Sequence, residues 1–154
     1  MIGDENQPLN YMQPATETPQ QGSWEVWAIR NYSPDSHPIH LHLIEQSQLV
    51  GRWHVGRWTP DGKPVPGTIG PFEQAPAYQS GPKDVLDSDS DYITWVSTFP
   101  IKGTTVWHGH MATHEDGVNS NGVIEMMRPL VIGRKEHTQL PRVKTLEQLN
   151  RLVG

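Results

Sequence analysis

Apolar and polar positions along the 154-residue chain fall into short runs, several of which alternate with a period of two. Behind Gly22, the run Ser23-Trp24-Glu25-Val26-Trp27-Ala28-Ile29-Arg30 is rich in β-branched and aromatic residues, which predicts a strand. The turn-forming cluster Asn31-Tyr32-Ser33-Pro34-Asp35-Ser36 separates it from a second apolar run, Ile39 to Ile44. From Asp91 to Phe99, Tyr92, Thr94, Val96 and Thr98 alternate with Ile93, Trp95, Ser97 and Phe99. Thr104 to His110 resumes after Pro100 to Gly103, as the second arm of a hairpin would. Val123 to Ile132 is a last strand candidate, interrupted by Pro129. Short strands divided by Gly/Pro turns predict an all-β fold, an antiparallel sandwich or a Greek-key barrel.

Three segments stand apart from this pattern. Residues 1–21 are polar and Pro/Gln-rich and read as an extended lead-in to a domain over 22–133. Residues 51–82 carry six Gly and six Pro, too many for a regular helix or a central strand, and predict one long connection. Trp53, Trp58 and Phe72 are expected to anchor that connection to the barrel, the alternative being that they line a pocket. In the tail, 134–154, Thr145 and Gln148 form a capping-box pattern, and Leu146, Leu149, Leu152 and Val153 share one helical face. A short C-terminal helix that clasps the domain or a partner is the expectation there.

Composition narrows the chemistry. The chain contains no Cys, so disulfides, thiolate metal sites and cysteine nucleophiles are excluded, and any metal must be held by His, Met or carboxylates. Twelve basic against seventeen acidic residues give a formal charge of -5 with no Lys/Arg stripe, which argues against nucleic acid and anionic membranes as partners. No apolar run approaches the ~20 residues that span a bilayer. No signal peptide is recognisable behind the acidic start Met1-Ile2-Gly3-Asp4-Glu5, so the chain as written is expected to be cytoplasmic.

Six of the eight His lie in two clusters, His37-Pro38-Ile39-His40-Leu41-His42 and His108-Gly109-His110-Met111-Ala112-Thr113-His114. Side chains alternate faces along a strand, so His40 shares a face with His42, and His108 with His110. Neighbouring strands would gather these four imidazoles into one patch. His37 and Gly109 fall on the opposite side, which predicts a second site, built from His37, His114 and whatever Gly109 leaves room for. Imidazole is the commonest metal ligand, and both patches point to metal binding. His54 and His137 lack this context and read as solvated or loop residues.

The first cluster resembles the His-Pro-x-His-x-His signature of the C-terminal cupredoxin domain of multicopper oxidases, the family of spore-coat laccases, bilirubin oxidase and phenoxazinone synthase. His108-Gly109-His110 with His114-Glu115-Asp116 and Met126-Met127-Arg128-Pro129 is similar to the family's second signature, His-Cys-His-x-x-x-His-Glu-Asp followed by Met-Met-Arg-Pro. Thr16-Glu17-Thr18-Pro19, Trp24-Glu25-Val26-Trp27 and Lys83-Asp84 extend the similarity over roughly residues 9–133. The resemblance implies a cupredoxin-like Greek-key fold and copper as cofactor. It implies His40 as a type 2 copper ligand and His42, His108 and His110 as type 3 ligands, together half of a trinuclear cluster. It implies His37, His114 and the weak axial Met126 as the type 1 site. In the family, electrons pass from type 1 copper to the trinuclear cluster, where oxygen becomes water.

Two departures alter what can be expected. Gly109 stands where the family has its Cys thiolate, so the remnant type 1 site would be empty, hold Cu(I) or another ion weakly, or accept an outside ligand. The cluster of the family needs eight His, and this chain offers four, so another cupredoxin domain or chain, or a homo-oligomer, would have to supply the rest. Residues 117–125 also replace a connection of about two residues, which leaves Met126 open between ligation and core packing. The expected function is a multicopper-oxidase-like copper-binding domain of an oxidoreductase assembly. The alternatives are a non-oxidase metal-binding or structural cupredoxin protein with a mononuclear His site, and an enzyme with a mononuclear cupin-like centre. The cupin spacing is a poor match, because Glu45 follows His42 after only two residues.

Overall fold

A computed structural model describes residues 2–4, 7–31, 33, 35–60, 63, 65–88, 92–115, 117–118 and 126–133. The predicted C-terminal helix and most of 117–125 lie outside the described residues. The elements are β1 (Ile2–Asp4), β2 (Gln7–Leu9), β3 (Trp24–Arg30), β4 (Pro38–Leu41), β5 (Glu45–Val55), β6 (Ile69–Gln74), β7 (Val85–Asp87), β8 (Tyr92–Thr98), β9 (Gly103–Gly109), the one-turn helix α1 (Ala112–Glu115) and β10 (Met127–Ile132). Two four-stranded antiparallel sheets face each other in the orders β10-β9-β4-β7 and β3-β8-β5-β6. Their strands present alternate residues inward: β4 buries Ile39 and Leu41, and β10 buries Leu130 and Ile132. The sheets meet in a core that also holds Leu49, Leu86, Phe99, Trp107 and Met126. Trp27 of β3 reaches Trp107 of β9 edge to face, with ring centroids 5.5 Å apart, and so bridges the two layers.

Consecutive strands mostly switch sheets, and this corrects the hairpin expected between residues 91–99 and 104–110. β8 belongs to one sheet and β9 to the other. Phe99, fully buried, plunges between the layers and its carbonyl accepts from Gly22 N–H, so the chain crosses over the edge instead of folding back. Alternation specifies a strand and its faces, but carries no information on which sheet it joins.

The single long connection expected over 51–82 is also corrected. β5 continues to Val55 in the middle of its sheet, β6 pairs with it along the edge, and a 3-10 turn covers Ala77–Gln79. Gly51 is tolerated in a central strand because the Phe72 ring lies across it; a Cβ there would collide with Phe72 and the Glu73 carbonyl. Trp53 pairs with Phe72 across the two strands, centroids 4.6 Å apart, so these aromatics hold β6 onto β5.

The lead-in is tied to the sandwich by Arg128. This side chain is fully buried, and its guanidinium donates to the carbonyls of Asn10, Gln13 and Pro14 and to Thr16 Oγ1, with Glu17 Oε2 3.5 Å away. Beyond it, Glu17 and Gln20 form parallel bridges with Leu130 and Gly133, so the segment covers the open edge of β10. No helix among the described residues is long and apolar enough to cross a membrane.

Candidate metal centre

Both His clusters converge where β4 lies beside β9. In that ladder His40 is directly opposite His108, Ile39 opposite Gly109 and Leu41 opposite Trp107. Because Ile39, Leu41 and Trp107 point into the core, His40 and His108 emerge together on the other face of the same sheet. His42 lies one residue beyond β4, yet its N–H still donates to the Val106 carbonyl and keeps it on the ladder. The chain then turns away at Leu43, an exposed non-glycine residue with φ 55°.

The four rings form a compact group. His40 lies 4.4 Å from His42, 5.2 Å from His108 and 5.3 Å from His110 between centroids, and His42 lies 5.0 Å from His108. One donor atom from each of His40, His42 and His108 falls within 4.8 Å of the others, whereas His110 is exposed at the rim. His108 Nδ1 lies 3.1 Å from the Gly109 carbonyl, which can only accept, so that nitrogen carries the proton and Nε2 keeps its lone pair. This Nε2 is 2.9 Å from His42 Nε2. Metal–imidazole bonds of about 2.0–2.1 Å meeting near a right angle span just such a separation. Burial lowers the pKa of His40 and His42, and the neighbouring imidazole lowers each further, so both rings are held neutral with a lone pair available. The donor set therefore fits a borderline transition metal such as copper.

Carboxylates sit behind the rings at positions to which no role was assigned from sequence. Glu115 Oε2 of α1 lies 3.7 Å from His108 Nδ1, and Asp84 Oδ2 lies 4.0 Å from His40 Nδ1. Neither carboxylate is hydrogen-bonded to its ring: His40 Nδ1 is buried without a hydrogen-bond partner and His108 Nδ1 is turned to the Gly109 carbonyl, so the two acids add negative charge near the imidazoles without fixing their orientation. Glu115 was visible as the residue after His114; Asp84 lies 44 positions from His40 in sequence, and only the β4/β7 pairing brings it near.

On the core side of the same two strands, His37 and His114 stand with ring centroids 5.3 Å apart. His37 Nε2 is hydrogen-bonded to Ser33 Oγ at 3.0 Å, and the Nδ1 atoms of both rings are buried without a hydrogen-bond partner. Desolvation, followed by the charge His114 would carry, lowers the His37 pKa. Met126 closes the group: its N–H donates to the His114 carbonyl, and its own carbonyl accepts from Gly109 N–H. A Cβ on Gly109 would stand 2.9 Å from Met126 Cε and 3.4 Å from Met126 Sδ. The structure thus gathers His37, His114, Gly109 and Met126, with an orphaned nitrogen on each ring. The set does not fit a blue-copper centre, which requires a thiolate. His54 instead pairs with Glu73 across β5 and β6 at 3.4 Å, and His137 lies outside the described residues.

A two-sheet antiparallel sandwich with imidazoles converging from adjacent strands defines a cupredoxin-like metal-binding domain. The family model described as Multicopper oxidase matches residues 2–126, and the chain belongs to that family, whose cofactor is copper. It is 35% identical over 122 residues to a laccase of Bacillus subtilis (strain 168) and 37% identical over 123 residues to a laccase of Bacillus stratosphericus, covering 77% of this chain in each case. Among solved structures, a multicopper oxidase from Campylobacter jejuni, titled a metallo-oxidase, superposes with a TM-score of 0.60 at 19% identity over 82% of this chain, a likeness of fold. The chain spans only 22% of the length of each of these three proteins.

Proposed function

We propose that this chain is a copper-binding domain contributing half of a trinuclear centre, through His40, His42, His108 and His110, to an oxidoreductase assembly. The observation that carries the reading is the convergence of His40, His42 and His108 donor atoms within 4.8 Å, from strands in His40↔His108 register. The imidazoles of His40, His42 and His108 bind, with the Glu115 and Asp84 carboxylates near His108 and His40, and exposed His110 is available to metal shared with a facing subunit or domain. That facing surface is a second cupredoxin domain or a second copy of this chain, supplying the complementary His. Copper held there supplies the one-electron steps of the family's oxygen reduction. The family's electron route through a cysteine thiolate is unavailable, because Gly109 has no side chain.

Size-exclusion chromatography of copper-loaded chain, with metal analysis and electron paramagnetic resonance, tests the reading. The expected result is an assembled species with two or three coppers per unit, part of them magnetically silent. One paramagnetic copper on a monomer would overturn it. That outcome would favour the second reading, a mononuclear three-His site, which rests on His110 standing outside the tight donor group. In either case uptake should fall steeply below about pH 5 to 6, as the imidazoles protonate.

A further inference from the structure

His40 and His108 are cross-strand partners, yet their Nδ1 atoms are provided for differently. His108 Nδ1 has the Gly109 carbonyl at 3.1 Å, an acceptor that belongs to the backbone. His40 Nδ1 is buried and has no hydrogen-bond partner among the described residues. Asp84 Oδ2 stands 4.0 Å from it, about one ångström beyond hydrogen-bonding reach. The backbone that carries this carboxylate is fixed beside the ring: the Asp84 carbonyl accepts from Leu41 N–H at 3.0 Å, and the next residue, Val85, pairs with His40 across β4 and β7. Its side chain has room to turn, being 71% exposed against 17% for His40. The gap matters because of the tautomer. A neutral imidazole carries one proton, and only the nitrogen without it ligates a metal. With Nδ1 on the Asp84 side of the ring, Nε2 is the nitrogen left for the cluster, and it is free only when the proton sits on Nδ1. A buried Nδ1–H without an acceptor is penalised, so the ring by itself does not settle on the ligating form.

We propose that Asp84 is the positioning residue for His40: its carboxylate turns onto Nδ1–H, holds the proton there and leaves the Nε2 lone pair to a metal in the outer cluster. The proposal rests on the reading of His40 as a ligand of that cluster and adds the residue that sets its tautomer. The proton moves from one nitrogen to the other within a neutral ring, so the ring neither gains nor loses charge. A cation on Nε2 draws electron density from the imidazole and makes Nδ1–H a stronger donor, so metal and carboxylate each tighten the hold of the other. His108 needs no such side chain, because the Gly109 carbonyl already does for it what Asp84 does for His40.

The test uses the full 154-residue chain with Zn(II), a diamagnetic ion that takes imidazole ligands, and reads both affinity and the imidazole protons by nitrogen-edited NMR, with His40 assigned through His40→Gln. In the Zn(II)-loaded chain the His40 Nδ1 proton is expected far downfield, as a hydrogen-bonded proton. Asp84→Ala is expected to weaken Zn(II) about 10–100-fold and to move that proton upfield, with the fold unchanged by circular dichroism. Asp84→Asn keeps an acceptor oxygen and removes the charge, and is expected to recover most of the affinity and the downfield proton. The His108 Nδ1 proton is the internal reference and stays in place in both variants. Unchanged affinity in Asp84→Ala, or a His40 Nδ1 proton that does not move, would overturn the proposal. Asp84→Asn as weak as Asp84→Ala would also overturn it, by reducing Asp84 to a charge acting through space. Zn(II) uptake indifferent to His40→Gln would overturn the reading of His40 as a ligand, and the proposal with it.

Discussion

If Met126 occupies the volume of a residue-109 side chain, the two positions must be energetically coupled, and a double-mutant cycle measures the coupling. In Gly109→Ala the new methyl meets Met126 Cε at 2.9 Å, so the side chain must shift. Overpacking of this kind costs about 1–3 kcal/mol. Reduced freedom of the unfolded chain offsets about 0.4–1 kcal/mol of it, since Gly109 has no left-handed φ to penalise alanine. The net expectation is about 0 to 2.5 kcal/mol of destabilisation. Met126→Ala, which empties a buried site, should cost about 2–5 kcal/mol. In that background the methyl at 109 enters vacated space, loses its overpacking cost and keeps its entropic benefit. The double variant should therefore be more stable than the sum of the single effects predicts, by about 1–3 kcal/mol. Urea unfolding of the metal-free chain, followed by tryptophan fluorescence, gives the three free energies. Additivity within about 0.5 kcal/mol would refute the placement of Met126 against Gly109.

Gly109→Cys should create an intense visible thiolate-to-Cu(II) charge-transfer band on addition of Cu(II), and a colourless complex would refute the view that position 109 faces His37 and His114. The metal-free chain should lose stability as pH falls below about 6.5. His37, His40 and His42 have pKa values lowered on folding, so the unfolded chain binds more protons in the window between the folded values and 6.5; a urea midpoint unchanged from pH 8 to pH 5 would refute this. Arg128→Met should cost about 3–5 kcal/mol, by stranding Glu17 and three carbonyls, and should expose residues 10–17 to protease. An unchanged melting temperature and cleavage pattern would show that the lead-in is held by other contacts.

Residue parity along a strand was enough to put His40 and His108 on a face opposite to Gly109, because a period of two leaves no freedom once a residue is known to be in a strand. The β4/β9 register, which sets His40 directly across from His108, depends on a contact 68 residues apart in sequence and is not encoded in either motif alone. The same limit applies to β8 and β9, whose patterns are those of a hairpin although the buried Phe99 carries the chain into the other sheet. Gly51 illustrates the opposite error: glycine density in 51–82 argued against strands, whereas that glycine makes room for the ring that pairs β6 with β5. Arg128 appeared in sequence only as part of a motif. Its role as the buried acceptor-gathering group for the lead-in emerges from partners more than 110 positions away.

The two faces of the β4/β9 ladder explain how a domain of this family can lack the thiolate and keep its architecture. Position 109 contributes to the fold through its backbone: Gly109 N–H donates to the Met126 carbonyl, and the next amide, of His110, donates to the Pro38 carbonyl. Neither bond uses a side chain. The outer imidazoles depend on residues 40, 42, 108 and 110, whose side chains point away from the core, and His108 is oriented through the Gly109 carbonyl, which any residue at 109 would supply. The effect of a glycine at 109 is therefore confined to the core side of the ladder, where a Cβ would meet Met126. With no side chain at 109, the covalent path across the ladder at that position is backbone alone. Substitutions on the core side of the ladder are therefore expected to leave metal uptake by the outer imidazoles unchanged.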